Sequence, residues 1–183
     1  MPYLSGGNKL LNPAKIFNRL GINAGDKIAD LGCGGAGHFI LPAARLAGND
    51  TTVYAVDIMK SVLQSVGSKA RLEGIPNVKT VWSNLENYGA TKIKKESLDI
   101  AFLINILFQS KNHQAIVKEA LRLLKKNGKL LIIDWNELKS SFGPPADVRL
   151  KKADIKKIAA DLKLKLMEEF AAGKYHFGLI FEK

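Results

Sequence analysis

Two carboxylates and a run of glycines are the residues whose types and spacing point to chemistry. In the stretch IADLGCGGAGHFILPAA, residues 28–44, glycines at 32, 34 and 37 form a G-x-G-x-x-G pattern, and Asp30 stands two positions before the first of them. Glycines between a strand and a helix let the backbone pass close to a ligand. A diphosphate seated on the free N–H groups of the following helix would be repelled by Asp30. A ligand carrying an ammonium and a sulfonium would be attracted to it. Asp57 closes a second apolar run, TVYAVDI, 25 positions after Gly32 (57 − 32), where a carboxylate can accept from both hydroxyls of a ribose. That feature suits NAD and S-adenosylmethionine equally. Asp30 tips the reading toward the second.

Further residues extend this nucleotide reading. Ile58 and Met59 follow Asp57 and are placed to pack on an adenine face. Ser83 and Asn84, in WSNLEN, offer side-chain oxygens to the adenine amino group, although Ser and Asn also open loops for local reasons. Three histidines are candidate general bases: His38 beside the glycines, His113 at a helix start and His176 in the final strand pair. Their plainer roles are lining the loop, capping and packing, respectively. No Cys/His cluster has metal-ligand spacing, so no metal is expected. Cys33, inside the glycine motif, reads as a small packing residue.

Positioning these residues takes an alternating order of elements. Asn12-Pro13 reads as a helix start, with a short helix to about Leu20. DKIADLG reads as a strand, GHFILPAARLAG as a helix disturbed by Pro42, and TVYAVDI as a strand. A helix from about Ser61 to Glu73 leads to a third strand, Asn77 to Ser83, and an irregular segment through Lys95. SLDIAFLIN is a fourth strand, followed by a helix over 112–125 that Asn127-Gly128 is expected to end. KLLIIDW begins a fifth strand. The loop over 136–150 leads to a helix bearing Ile155, Ile158, Ala159 and Leu162. Two last strands, KLKLMEEF and YHFGLIFEK, are expected to be separated by Ala171-Ala172-Gly173. Apolar strands alternating with helices predict an α/β, Rossmann-like, doubly wound and mostly parallel seven-stranded sheet. The last two strands have no helix between them and should form an antiparallel hairpin at one edge. Ligands of such sheets bind beyond the carboxyl ends of the strands.

The 183 residues fit a single domain over 1–183. Its first twenty residues and the 136–150 loop are the natural lids, and Phe108, Trp135 and Phe142 are candidates to line an apolar acceptor pocket. No N-terminal apolar run resembles a signal peptide, and the longest apolar stretch, IAFLINILF, is too short to span a bilayer, so a cytoplasmic location is expected. A single cysteine excludes an internal disulfide. The net charge of +11 permits nucleic acid, membrane or acidic metabolite as partner and selects none. Seven basic residues between Arg149 and Lys165, against Asp154 and Asp161, read as a solvated face, with no nucleic-acid-binding motif beside them. Composition sets no oligomeric state.

Taken together, DLGCGGAG, VYAVDI, SLDIAFLINILF and EALRLLKKNGKLLIIDW resemble the first, second-strand, fourth-strand and fifth-strand motifs of the class I S-adenosylmethionine-dependent methyltransferases. The resemblance runs from about Leu10 to Lys183 and includes the terminal hairpin. It implies cofactor contact at Asp30, Gly32, Gly34, Asp57, Ile58, Asn84 and the region of Asn105, with Ser83 beside Asn84. It further implies methyl transfer to an acceptor that the residues do not identify, with small molecules favoured over nucleic acid because NILF from Asn105 lacks the prolines of base-methylating relatives. Two alternatives stay open: a non-catalytic S-adenosylmethionine-binding interaction module, and an RNA methyltransferase. The chain departs from the family pattern at Ala36, where a third glycine is usual, and at Asn84, where Asp is common.

Overall fold

The computed structural model describes residues 7–138, 140 and 143–183. Of the sequence-derived expectations, Phe142 and the first six residues lie outside them. Helix α1 (Pro13–Leu20) begins as its sequence dictates. The Asn12 side chain accepts from the Lys15 N–H, Pro13 fills the first turn, and Gly21 closes the helix at φ 67°. The remaining elements follow in order: β1 (Ile28–Leu31), α2 (Ile40–Ala47), β2 (Val53–Asp57), α3 (Lys60–Leu72), β3 (Val78–Trp82), β4 (Leu98–Ile104), α4 (His113–Leu123), β5 (Leu124–Trp135), α5 (Lys152–Asp161), β6 (Lys165–Gly173) and β7 (His176–Glu182). Pro42 falls in the first turn of α2, where proline is tolerated, and the amides of Leu41 and Ala43 on either side of it still donate to the carbonyls of Gly37 and Phe39.

The seven strands form one sheet in the order β3-β2-β1-β4-β5-β7-β6. The first five pair in parallel, and β7 pairs antiparallel with both β5 and β6. The doubly wound sheet and its edge hairpin are those the element order predicts. Side chains alternate across the sheet into two cores. Ile28, Val53, Phe102 and Ile133 pack under α1, α2 and α3, while Leu31, Val56, Leu103 and Ile132 pack under α4 and α5. Strand order reverses between β1 and β4, the position at which an open α/β sheet leaves a crevice at its carboxyl edge.

Two boundaries differ from those read in the sequence. Helix α4 stops at Leu123 and β5 starts at once, because Leu124 is fully buried and pairs with Leu98. Asn127, at φ 63°, and Gly128 bend the strand instead of ending the helix, and they are tied to Lys183 by two backbone hydrogen bonds. Likewise Ala171, Ala172 and Gly173 belong to β6, and the turn is Lys174-Tyr175. Pairing continues to the end of the strand, with Ala171 opposite Phe177 and Gly173 opposite His176.

The irregular segment between β3 and β4 is fixed by one buried ion pair. Glu119, whose side chain has 0% exposure, accepts from Arg122, from the Gly89 N–H at 2.8 Å and from the Thr91 N–H at 3.0 Å. Burial pushes its carboxyl up, but these donors outweigh it and hold the pKa down to about 2. Thr91 in turn meets Ser83, so the pair sets the course of the chain leaving β3.

Candidate functional site

The glycine loop crosses the carboxyl end of β2. Gly32 and Cys33 both donate to the Val56 carbonyl, at 2.8 and 3.0 Å. At Gly32 the backbone has φ +90°, and an added Cβ would lie 2.7 Å from Ile106 Cδ1, so no larger residue fits without moving the wall after β4. Gly34 borders open space. Its N–H donates to Asp57 Oδ2 at 3.2 Å, while the Met59 N–H donates to Asp57 Oδ1 at 2.9 Å. The Asp57 carboxylate is thereby oriented by two backbone donors and keeps lone pairs for a ligand. The left-handed turn after Gly34 falls on Gly37, φ +66°, so Ala36 sits exposed without strain.

Asp30 lies under this loop on β1 and is 2% exposed. Burial, with a further contribution from Asp57, pushes its pKa up to about 7. No basic side chain among the described residues offsets it. A buried carboxyl of this kind, next to a second carboxylate, is stabilised as an anion by a cationic ligand. The same surroundings push the Cys33 thiol far up, which makes it a poor nucleophile.

Across the crevice, β4 ends in Asn105, a left-handed non-glycine residue at φ 55°. Its N–H donates to the Ile133 carbonyl, its carbonyl accepts from Gln109, and its Nδ2 donates to Asn8 Oδ1 at 2.8 Å. Its Oδ1 is buried and has no partner among the described residues. Residues 8–12, just before α1, therefore reach the crevice, with Asn8 touching Asn105 at the end of β4. His38 Nε2 donates to the Leu11 carbonyl at 3.0 Å, which ties the segment to the glycine loop as well.

Ile58 and Met59 are 54% and 56% exposed beside Asp57, and Trp82 donates from Nε1 to the Ile58 carbonyl at 2.8 Å. Asn84 is half-buried, and its Oδ1 already accepts the Glu86 N–H. Ser83 is buried with its hydroxyl on Thr91, so it braces the loop that carries Asn84. Asp30, Gly32, Gly34, Asp57, Ile58, Asn84 and Asn105 all lie at or just beyond the carboxyl ends of β1 to β4. Of the other histidines, His113 opens α4 and His176 is 1% exposed on β7, away from the crevice and held neutral by burial and by Arg149.

Several supports were invisible in the sequence. Lys69 and Ser65, from α3, donate to the Gly35 carbonyl, and Lys69 also to that of Ala36, which clamps the loop from outside. Asp134 is fully buried at the end of β5, accepts the Trp135 N–H, and has the Phe108 and Leu107 N–H groups turned to it. It thus couples the end of β5 to the segment following β4. Burial nonetheless pushes its pKa up to about 7.

The paired carboxylates, a loop whose one nearby cation among the described residues, Lys69, is engaged by carbonyls on its outer side, and the exposed apolar Ile58 and Met59 fit S-adenosylmethionine and suit a diphosphate poorly. Among the described residues no group of His, Cys, Asp and Glu is arranged to hold a metal ion, and no helix is long and apolar enough to cross a membrane.

Comparison with known proteins agrees with this geometry. Residues 22–175 match a family model described as a methyltransferase domain. The chain is 29% identical over 121 residues to the Methanosarcina acetivorans protein named "Probable cobalt-precorrin-6B C(15)-methyltransferase (decarboxylating)", covering 66% of this chain and 61% of that one. It is 32% identical over 118 residues to the ubiquinone/menaquinone biosynthesis C-methyltransferase UbiE of Shewanella pealeana, covering 64% and 45%. The chain thus spans about half the length of the curated relatives it matches. Among solved structures, a SAM-dependent methyltransferase from Aquifex aeolicus superposes with a TM-score of 0.86 at 22% identity, covering 97% of this chain and 93% of that one.

Proposed function

The chain belongs to the methyltransferase-domain family, and on that premise we propose that it transfers a methyl group from S-adenosylmethionine to a small-molecule acceptor. The observation that carries the proposal is the pair of carboxylates, Asp30 and Asp57, set about a glycine loop at the point where strand order reverses. When bound, S-adenosylmethionine supplies a methyl on a sulfonium that needs no further activation. The protein's task is then alignment and exclusion of water.

In this reading Asp57 accepts from the ribose hydroxyls, and Asp30 places negative charge where the methionine portion carries positive charge. Gly32 and Gly34 give the backbone its close approach, Ile58 covers the adenine, and Asn84 defines its edge on the loop that Ser83 braces through Thr91. Asn105 borders the methionine end, and its unpartnered Oδ1 is available to an ammonium or to an acceptor hydroxyl. The segment before α1 and the 136–150 loop act as lids within a single domain over 1–183. The names of the relatives, which concern precorrin and quinone biosynthesis, support a small acceptor.

His38 is a latch in this account, since its Nε2 is engaged by Leu11. Replacing it by alanine should weaken S-adenosylmethionine binding about fivefold, the worth of one neutral hydrogen bond of about 1 kcal/mol. Turnover at saturating cofactor should change little. A general base removed there would instead cost about 10²–10⁴ in rate. The proposal as a whole is tested by incubating the protein with S-adenosylmethionine tritiated on the methyl and a size-fractionated cell extract. Label should appear in the low-molecular-weight fraction and disappear with the Asp57→Ala variant. Label confined to RNA would give the protein a different acceptor class, and no transfer beside intact cofactor binding would leave a binding module.

A further inference from the structure

A cleft of about 550 Å³ opens beside the carboxyl end of β5, two strands from β1. Its apolar wall is Trp135, Leu150 and Phe177, and its charged wall is Arg149, Lys151 and Lys152 against Glu137 alone. Lys152 is already spent on Glu169. Arg149 is different. Its Nε donates to the Pro144 carbonyl at 3.0 Å, and its Nη1 donates to the Asn136 and Leu138 carbonyls at 2.9 and 2.7 Å. The guanidinium lies 5.4 Å over the Trp135 ring, whose neighbour on β7 is His176 at 4.2 Å.

Carbonyls orient an arginine without neutralising it, and among the described residues no carboxylate pairs with Arg149. Its Nη2 donors are also unclaimed there. A half-buried guanidinium held in place with its charge uncompensated is pre-organised to bind a planar anion. Lys151 is exposed on the same rim and adds a second positive charge. The His176 ring adds none near neutral pH, since burial and the Arg149 charge push its pKa down to about 4.

We propose that this cleft seats the methyl acceptor, and that the acceptor is an apolar small molecule carrying a carboxylate or a phosphate, held by Arg149 and Lys151. This rests on the methyltransferase reading, and it adds the acceptor's chemical class. Asp134 connects the two places. It stands at the end of the strand that bears Trp135, and it engages the backbone of Leu107 and Phe108 just beyond Asn105.

The test uses Trp135 as its own reporter, because Trp82 is the only other tryptophan and Trp82→Phe silences it. In that background, octanoate, octyl phosphate and neutral octanol are titrated while Trp135 emission is followed. Both anions, or one of them, should bind saturably and at least fivefold more tightly than octanol, and the stronger of the two names the acceptor's anionic group. Arg149→Gln should remove that preference, Lys151→Gln should halve it or more, and Arg149→Lys should retain part of it. Equal binding of octanol, or an anion preference untouched by both glutamine variants, would overturn the proposal. Calorimetry with S-adenosylmethionine on the same samples and on the protein with both tryptophans keeps the two readings apart, because Trp82 also holds the Ile58 carbonyl. Intact cofactor binding without anion preference rejects the cleft alone, whereas no cofactor binding by the protein with both tryptophans rejects the underlying reading.

Discussion

Replacing Asp57 by alanine is expected to weaken S-adenosylmethionine binding at least 100-fold while leaving a folded protein. The side chain is half-buried at the end of β2, so its loss opens no cavity in either core. Two hydrogen bonds to an ionised acceptor are worth about 1.5–3 kcal/mol each, and the lower figure already sums to about 3 kcal/mol, or two orders of magnitude in affinity. The variant also frees the Gly34 N–H and the Met59 N–H, which Asp57 holds from opposite sides. Loosening both flanks of the nucleotide adds an ordering cost to binding. Asp57→Asn should fall between the two, since an amide keeps one acceptor and loses the charge. Isothermal titration of the three proteins at one pH checks the order, and a melting temperature close to the parent's separates a binding defect from misfolding.

The second large effect is a pH dependence at Asp30. Its carboxyl has an ordinary pKa of 3.8 in the unfolded chain and about 7 in the folded one, raised by burial and then by Asp57. Between these values the folded state binds the extra proton. Stability contributed by this group is therefore complete below about pH 4, declines as pH rises toward 7, and is lost above it. The whole span is worth up to about 4 kcal/mol. Asp30→Asn removes the dependence. The variant should match the parent near pH 4 and exceed it in denaturation midpoint at pH 8.

Binding moves in the opposite direction. A cationic ligand favours the ionised carboxyl, so the parent's affinity for S-adenosylmethionine should rise about tenfold from pH 6 to pH 8, and that of Asp30→Asn should stay low and flat. Asp134, also raised to about 7 by burial, contributes the same sign to stability in both proteins and cancels in the comparison. Parallel affinity profiles for parent and variant would remove Asp30 from the cofactor site. The trade is one that functional sites show often: a group costly to fold around is the group that binds.

The sheet and the glycine loop were legible in the sequence for a simple reason. Buried parallel strands such as β4 carry continuous apolar runs, IAFLI in that case, and Asp30, Gly32 and Asp57 occupy positions where short-range geometry settles what they face. The Asn12 cap and Pro13 were equally local. What was missed depends on contacts between distant segments. Nothing near Lys69 announces that its ammonium will meet carbonyls 33 and 34 positions earlier. The Asn8–Asn105 contact spans 97 positions. Asn127-Gly128 is a strong helix-ending signal in isolation, but burial of Leu124 against Leu98 drew the chain into β5 before the signal was reached. The uncompensated charge of Arg149 was hidden in the opposite way. Counted among seven nearby basic residues it looked like solvated surface, and only its three carbonyl partners and Trp135 set it apart.

The central claim is that the loop between β1 and α2 holds S-adenosylmethionine through Asp57 and Asp30. Its most direct test is isothermal titration with S-adenosylmethionine, S-adenosylhomocysteine and NAD, run on the parent protein and on Asp57→Ala. Saturable binding of the first two ligands, lost in the variant and absent for NAD, is the predicted result. Binding of NAD with no response to S-adenosylmethionine would contradict the account and leave Asp30 opposed to the ligand beside it.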